Sequence, residues 1–197
     1  MAPVTCQDGD VTGVRLGDEL VLDFVGTLRS RRAEPEERLF SPESLNAWFA
    51  EAGLRPQWQP TRDHLLASIA LREAIYSLAL ARMRGEAFPP ESLAVVNRWA
   101  AQPPVTRLLT TIGVDVVSNP DSTLSSVARA AIDLLASFDA KIKECGREGC
   151  TRLFVDRSHG HRRVWCGMTE CGDRVKAASY RARRRQAAAD MVTVNRM

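Results

Sequence analysis

The stretch of sequence that decides the fold is Cys145-Gly146-Arg147-Glu148-Gly149-Cys150, which is followed after fifteen intervening residues by Cys166-Gly167-Met168-Thr169-Glu170-Cys171. Each pair spaces its thiols by four residues, and a hairpin between the pairs would bring all four sulfurs together. Four thiolates are the ligand set of a closed tetrahedral zinc site. The stretch therefore predicts one structural Zn2+ per chain, against the competing interpretations of two disulfides or four unrelated buried thiols.

The segment between the pairs predicts the rest of a small zinc-dependent fold. Leu153-Phe154-Val155 and Val164-Trp165 read as two strands of a hairpin whose tip carries His159 and His161. Both histidines are rival ligands, but a hairpin tip points away from the cysteines, so we interpret them as solvated turn residues. Phe154 and Trp165 are expected to form a miniature core. A site closed by four thiolates leaves no position for substrate, so the zinc is structural.

A strongly basic segment follows the second pair and is free of Gly and Pro from Arg174 to Arg185. It predicts a helix with Arg174, Arg181 and Arg185 along one stripe and Lys176, Arg183 and Arg184 beside it, and with a small-residue face of Val175, Ala178 and Ala182 packed on the finger. Arg162 and Arg163, with Arg157, add charge before the second pair. These cations are candidate nucleic-acid contacts, and a solvated basic face is the alternative.

Charge divides the chain into two parts. Residues 1–140 hold 13 basic and 18 acidic residues, a balance of −5, whereas residues 141–197 hold 14 and 6, a balance of +8. We therefore predict a first domain over 1–140 and a finger with its basic helix over 141–190. The second meets a polyanion, and the first senses a signal or mediates assembly.

Periodicity predicts a mostly helical α+β fold for the first domain. The alternation of Leu20, Leu22 and Phe24 favours a strand or hairpin over residues 14–25, and residues 29–37 read as a loop. The expected helices and one further hairpin are listed in chain order: a helix from Ser41 to Gly53, a helix from Thr61 to Gly85, a helix from Pro90 to Trp99, a hairpin of residues 105–111 and 114–117, and a helix from Asn119 to Phe138.

Other sequence signals are weak. The chain shows neither a secretory signal nor an apolar run of membrane-helix length, so we expect a cytoplasmic protein without a membrane partner. Cys6 reads as an ordinary free thiol. We find no phosphate loop and no nucleophile elbow, and His64 is expected to be a surface or capping residue, so no enzymatic activity is predicted.

The chain resembles the bacterial CGNR zinc finger proteins with an N-terminal ABATE domain. The finger resemblance rests on Cys150-Thr151-Arg152-Leu153-Phe154-Val155-Asp156, Arg162-Arg163-Val164-Trp165-Cys166-Gly167 and Cys171-Gly172-Asp173-Arg174-Val175-Lys176. Leu22-Asp23-Phe24-Val25-Gly26-Thr27 and Leu71-Arg72-Glu73-Ala74-Ile75-Tyr76 resemble the ABATE domain. The family has asparagine at the positions that Asp173 and Gly26 occupy in this chain. The resemblance implies a stress-response transcription regulator with a treble-clef-like finger.

Three functions compete. The first is a DNA-binding transcription regulator, and the second is a zinc-stabilised module that binds RNA or an acidic protein. The third is an enzyme in the first domain, which the sequence barely supports. Asp23, Thr27 and Arg72, with Glu73, are candidates for a small-molecule pocket, although a buried ion pair explains them as well. A homodimer and an unidentified small-molecule signal both stay open.

Overall fold

The computed structural model describes residues 18–54 and 58–194, of which residues 18–19 and 187–194 are described by their backbone alone. The chain divides into two compact units. The first contains residues 18–28 and 37–140, and the second contains residues 29–36 and 141–194. The division at 140/141 coincides with the change of charge in the sequence. The sequence did not predict that residues 29–36 belong to the second unit. The predictions for Cys6 and for residues 14–17 lie outside the described residues.

The first unit is built mainly from helices, and the mixed α+β class is confirmed. Its elements in chain order are α1 (Asp18–Val25), α2 (Pro42–Glu51), α3 (Arg62–Arg84), α4 (Pro90–Ala100), β3 (Thr106–Thr110), β4 (Gly113–Val117) and α5 (Pro120–Ala136). Two short strands, β1 (Leu28–Arg29) and β2 (Glu36–Glu37), pair where the chain leaves and re-enters this unit. Helices α1, α3, α4 and α5 pack on one another.

Helix α1 corrects the strand predicted over residues 14–25. Leu20, Val21, Phe24 and Val25 are buried, whereas Leu22 and Asp23 are half-buried. Burial at i, i+1, i+4 and i+5 has the helical period. The alternation of three apolar residues was misleading because Val21 and Val25 complete a helical stripe that a strand would have exposed.

Three of the predicted helices begin at reciprocal caps. The Ser41 and Ser44 side chains cap α2, and those of Asn119 and Ser122 cap α5. At α3 the backbone N–H of Thr61 donates to Nδ1 of His64 at 2.9 Å. His64 is therefore the capping residue that the sequence indicated. Gly85 ends α3 in the left-handed conformation, with φ of 67°.

The core of the first unit is apolar and fully enclosed. Phe24, Leu45, Leu71 and Val127 are completely or almost completely buried, and Trp48 packs against Phe24 with ring centroids 4.9 Å apart. Phe138 departs from the prediction, because it lies beyond the end of α5 and is 94% exposed.

Helix α3 has the length and mean hydropathy of a membrane span. In its most apolar stretch, 56% is buried inside the fold. The packing of a core helix therefore accounts for its composition.

The β3–β4 hairpin has the predicted position. Its strands pair from Thr106 with Val117 to Thr110 with Gly113, so Thr111 and Ile112 form the turn. Leu109 and Ile112 project from this hairpin and are 88% and 97% exposed.

The second unit contains β5 (Ile142–Glu144), β6 (Leu153–Val155), a 3₁₀ turn at His159–His161, a π turn at Met168–Gly172 and helix α6 (Asp173–Val194). Strand β6 pairs antiparallel with β5. This corrects the predicted pairing of residues 153–155 with Val164 and Trp165. The strand before the first cysteine pair had no place in the prediction, because three residues are too few for a visible alternation.

Residues 29–36 attach to this second unit by two contacts. The backbone N–H of Arg31 donates to Oγ1 of Thr151 at 3.1 Å, and Arg32 pairs with Glu144 at 2.6 Å. The predicted loop therefore contributes to the finger rather than to the domain around it in sequence.

Candidate metal centre

The first cysteine pair lies in the turn that joins β5 to β6. Cys145 directly follows β5, and its N–H donates to the carbonyl of Arg152 at 2.9 Å. The N–H of Cys150 donates to the carbonyl of Arg147 at 2.9 Å. Gly149 takes φ of 75°, a left-handed conformation that favours glycine. These bonds fold the four intervening residues so that both thiols lie on the same side.

The second cysteine pair lies at the start of α6. Cys171 is part of the π turn, where the N–H groups of Cys171 and Gly172 both donate to the carbonyl of Gly167, at 3.2 and 3.1 Å. Cys166 precedes that turn. A ligand built into the turn that opens α6 fixes the first residues of the helix to the cysteine cluster.

The four sulfurs form a compact cluster. All lie within 4.8 Å of one another. Cys166 Sγ is 3.5 Å from that of Cys171, Cys171 Sγ is 3.8 Å from that of Cys150, and Cys150 Sγ is 4.0 Å from that of Cys166. A regular tetrahedron with zinc–sulfur bonds of about 2.3 Å has an edge of about 3.8 Å. The residues therefore fit a zinc ion, as the spacing of the cysteines predicted.

The histidines stand apart from this cluster. Among the described residues, the group that could hold a metal contains only the four cysteines. His159 and His161 are exposed in the 3₁₀ turn, and Nδ1 of His161 lies 2.8 Å from the carbonyl oxygen of Asp156. The interpretation of both as turn residues is consistent with this placement.

Trp165 packs against the cluster between two glycines. A Cβ at Gly146 would lie 3.4 Å from the Trp165 ring, and one at Gly172 would lie 3.1 Å from it. Each glycine follows a ligand, and the atom nearest to such a Cβ would be Val164 Cγ1, at 2.7 Å, for Gly146 and Met168 Sδ for Gly172. The missing side chains therefore leave room for Val164 beside the first turn and for Met168 and the indole beside the second. With buried Phe154, Trp165 forms the small core that the sequence predicted.

The electrostatics of the thiols show what a metal must supply. Burial raises the pKa of Cys150 and Cys166, and the neighbouring sulfurs raise it further. Burial also opposes ionisation of Cys145, but hydrogen bonds from backbone N–H groups lower its pKa below the ordinary value. Four crowded thiolates therefore need a cation at their centre, and a divalent ion meets that need.

Arg147 stabilises the cluster from outside. Its Nε donates to Sγ of Cys171 at 3.2 Å, and this contact raises the pKa of the guanidinium. A charged donor to a ligand sulfur is a second-sphere contact of the kind that orients ligands. The cysteine spacing does not reveal it, although the residue itself lies inside the first motif.

Asp156 is a structural residue that sequence reasoning missed. Its buried carboxylate accepts from Lys143 Nζ at 2.6 Å, from the N–H and Oγ of Ser158 and from the N–H of Arg163. Burial opposes its ionisation, but these donors hold the pKa of Asp156 well below its usual range. It thereby anchors the loop of residues 157–163.

Two arginines of that loop differ in their surroundings. The Arg163 guanidinium lies 4.6 Å above the ring of Phe154, and its Nε donates to the carbonyl of Trp165 at 2.8 Å. Both arginines are exposed, but the Arg163 guanidinium is held against the finger by these contacts. A nucleic-acid contact from either stays a prediction.

Helix α6 begins where predicted but packs less than predicted. Val175 is half-buried, but Ala178 and Ala182 are exposed, as is every described side chain from Lys176 to Gln186. The small-residue face therefore does not pack on the finger, because the helix extends past it after its first turn.

The arrangement of cations around α6 also needs correction. At about 100° per residue, Arg174, Arg181 and Arg185 share one stripe, which we call the arginine stripe. Lys176 and Arg183 lie on the opposite side of the helix rather than beside that stripe, and Arg184 lies between. Its guanidinium is 6.0 Å from the Tyr180 ring.

Two of the residues proposed for a ligand pocket in the first unit, Thr27 and Glu73, contact a third, the buried guanidinium of Arg72. Arg72 is 1% exposed and donates to both carboxylate oxygens of Glu37 at 2.7 Å, to Oγ1 of Thr27 at 3.1 Å and to Glu73 at 2.6 Å. Asp23 lies half-buried on α1. The structure thus brings Thr27 and Arg72 together as an ion-pair network, with Glu37 as a partner that the sequence did not indicate.

Comparison with known families agrees with this architecture. Residues 18–137 match the ABATE family, described as "Putative stress-induced transcription regulator", and residues 141–184 match the CGNR zinc finger. The first match alone covers more than half of the chain, and the order confirms the resemblance seen in the sequence. No protein of curated function matches.

Proposed function

Because the chain belongs to the ABATE family and carries a CGNR zinc finger after its ABATE region, we propose that it is a DNA-binding transcription regulator. In this proposal a structural zinc ion on Cys145, Cys150, Cys166 and Cys171 fixes the start of α6, and the arginine stripe contacts duplex DNA. When bound, the metal supplies folding free energy and charge compensation for the thiolates.

The observation that carries this proposal is the exposure of the cations on α6. Six basic side chains lie between Arg174 and Arg185, and all six are exposed. Among the described residues, Lys176 has an acidic neighbour, Asp173 at 4.0 Å, and we find none for the arginines of the stripe. A row of exposed arginines without a described acidic partner suits a polyanion.

The stripe also has suitable dimensions. Arg174 and Arg185 are separated by about 16 Å along the helix axis, the length of about five base pairs. The major groove is about 12 Å wide and admits an α-helix with its side chains. Arg174 and Arg181 are placed to read base edges, and Arg184 on the flank is placed to contact a phosphate.

RNA is a second candidate because of one aromatic side chain. Tyr180 is 56% exposed on α6 beside Arg184. An exposed ring next to a guanidinium is a platform for an unstacked base. A Tyr180→Ala variant should weaken binding of single-stranded RNA and leave duplex DNA affinity almost unchanged.

For the first unit we propose a regulatory role. Its size exceeds that of a tether, and its acidic balance keeps it from competing for the polyanion. A small-molecule signal that binds this unit should raise its melting temperature in the full chain. A library screen in which no compound shifts that transition, while regulation in cells persists, would contradict sensing by this unit.

Two double variants of equal charge test the DNA proposal. Arg181→Ala with Arg185→Ala removes two cations from the arginine stripe, and Lys176→Ala with Arg183→Ala removes two from the opposite side. Fluorescence anisotropy with duplex DNA over a range of salt should show the larger loss for the first pair. Each lost base contact should weaken the preferred site by about 1–3 kcal/mol and random DNA much less.

The outcomes separate the alternatives. Equal losses for both double variants would mean that only total charge matters, and unchanged affinity and salt slope for both would remove α6 from the interface. Binding of neither DNA nor RNA by the zinc-loaded protein would favour an acidic protein partner.

A further inference from the structure

The second unit contains a cavity beside the cysteine cluster. Its volume is about 180 Å³, and residues 29–36, the first cysteine pair and the start of α6 all contribute to its wall. Six charged side chains line it: Arg29, Arg147, Arg152, Arg174, Glu36 and Glu170. Four arginines therefore face two carboxylates and the sulfurs of Cys150 and Cys171. The space would hold about six waters at about 30 Å³ each.

Two of the four arginines have partners inside the protein. Arg147 donates to the Cys171 sulfur at 3.2 Å, and Arg152 pairs with Glu170. The hydrogen bond to Cys171 raises the pKa of Arg147. Burial opposes the charge of Arg152, but Glu170 and then the Cys166 sulfur raise its pKa. Their charge is therefore matched by the cluster and by one carboxylate, so neither requires an external anion.

The other two arginines lack such partners. Nε of Arg29 is buried and has no hydrogen-bond acceptor among the described residues. We also find no described acid paired with Arg174, which is exposed and lines the same cavity. A buried guanidinium nitrogen without an acceptor is unfavourable, and Arg29 lines the cavity. An anion held there would offset the charge of this guanidinium.

We infer that this cavity is an anion site that binds a phosphate group, as a monoester or a diester. Guanidinium forks suit phosphate oxygens, and the tetrahedral group accepts hydrogen bonds from several directions at once. Arg29 and Arg174 donate to it, and Arg147 and Arg152 add positive potential from behind. Glu36 opposes binding.

The phosphate can come from two sources with the same chemistry. Arg174 belongs to both the cavity and the arginine stripe, so a backbone phosphate of bound DNA could enter while α6 occupies the groove. A free phosphate compound is the other source. The inference does not depend on the proposed DNA function, because phosphate alone is a sufficient probe.

Calorimetric titration of the zinc-loaded full chain with inorganic phosphate, at constant ionic strength, tests the site. The wild-type protein should bind one phosphate saturably. Arg29→Ala and Arg174→Ala should each weaken binding about tenfold or more, as expected for a lost charge-assisted hydrogen bond. The phosphate affinity of Arg29→Lys should lie between that of the two alanine variants and that of the wild type. The matched control is Arg62→Ala, an exposed arginine of α3, which should bind like the wild type.

A gain-of-affinity variant excludes unfolding as the explanation. Glu36→Gln removes an opposing carboxylate and should strengthen phosphate binding severalfold, which a misfolded finger cannot do. Zinc content is measured for each variant. A wild-type titration that does not saturate, or equal affinity for wild type and Arg29→Ala at full zinc occupancy, would overturn the inference.

Duplex DNA binding by the same variants identifies the source. If the site holds a backbone phosphate, Arg29→Ala should lower the salt slope by about 0.9, the value for one contact. If it holds a free phosphate compound, Arg29→Ala should leave the duplex affinity unchanged and still lose phosphate. If phosphate binding depends on Arg29 but the protein does not bind DNA, the site is supported and the proposed function is refuted. If the protein binds DNA but not inorganic phosphate, the proposed function is supported and the site is refuted.

Discussion

The two units of this chain are stabilised by different means. The first unit buries large apolar side chains from four packed helices, among them Phe24, Leu71 and Ile75, each at most 1% exposed. The second buries one residue of β5, Ile142, and three of β6, Leu153, Phe154 and Val155, together with three of its four cysteines. A helical core of this size supports its own fold, whereas so small a core requires a further source of free energy, which metal binding supplies.

The two units also differ in whether their charged side chains are accessible to a partner. A metal site fixes the first turn of α6 without demanding that the rest of the helix be buried, so its cations stay accessible. In the first unit the most conspicuous buried charge, Arg72, is satisfied by its own neighbours. Stability and exposure are thus divided between the units, and each of the following experiments perturbs one unit while the other serves as its control.

Zinc removal should have the largest effect. Structural zinc contributes about 10–16 kcal/mol of binding free energy in finger peptides, so a chelator or Cys171→Ser should unfold the second unit. Hydrogen exchange should then show protection lost over β5, β6 and the start of α6, and retained over α3 and α5. Metal analysis of the untreated protein should give one equivalent of zinc. Retained protection in the finger after complete metal loss would contradict the conclusion that the second unit needs metal to fold.

A cavity in the first core should have the converse effect. Leu71→Ala should lower the free energy of unfolding of the first unit by about 2–5 kcal/mol, because Leu71 is fully buried. Zinc content should not change. Leu66→Ala is the matched control on the same helix, since Leu66 is 54% exposed and its loss should change stability by less than about 0.5 kcal/mol. Equal effects of the two substitutions would show that α3 is not packed as described.

The Arg72 network should give the first unit a pH dependence. Burial opposes ionisation of Glu37, but its hydrogen bonds with Arg72 lower the pKa below the ordinary 4.5. A carboxyl with a lowered pKa stabilises the fold above that ordinary value, and the contribution is lost as pH falls through the folded value.

Replacement of this carboxylate tests that dependence. Glu37→Gln should therefore cost about 1–3 kcal/mol at neutral pH, and the loss should shrink in acid. Thermal unfolding from pH 7 to pH 3 measures it. A difference between variant and wild type that is constant over this range would rule out the ion pair as its cause.

Loss of one helix cap should have the smallest effect. Asn119→Ala removes the Oδ1 that accepts from the Ser122 N–H at 2.8 Å, and should destabilise the first unit by about 1 kcal/mol. The neighbouring Ser118 is the control, because its buried Oγ has no hydrogen-bond partner among the described residues, so Ser118→Ala should be neutral or stabilising. A denaturant titration in which Ser118→Ala is more destabilising than Asn119→Ala would contradict the capping geometry.

The sequence predicted those features whose residues lie close together in the chain. Both cysteine pairs are six-residue motifs, so their spacing alone indicated the metal site. Ser41, Thr61 and Asn119 start helices through contacts three residues away, and they were recognisable for the same reason.

Features that depend on distant residues were missed. Glu37 meets Arg72 from 35 positions away, and Thr151 accepts from Arg31 across 120 positions. No local pattern encodes such pairs. The pairing of β5 with β6 was missed because either side of residues 153–155 offered a partner, and only the folded finger selects one. The treble-clef-like description stays a prediction.

The central claim is that the zinc-built unit holds a basic helix for DNA. The most direct measurement is the duplex affinity and salt slope of one full-length sample, first zinc-loaded, then chelated, then reloaded. Chelation leaves every cation of the chain in place but releases the start of α6. We predict a loss of affinity of tenfold or more on chelation, as expected when binding must first order the segment, and recovery on reloading. Unchanged affinity and slope in the chelated protein would contradict the claim and leave charge alone as the basis of binding.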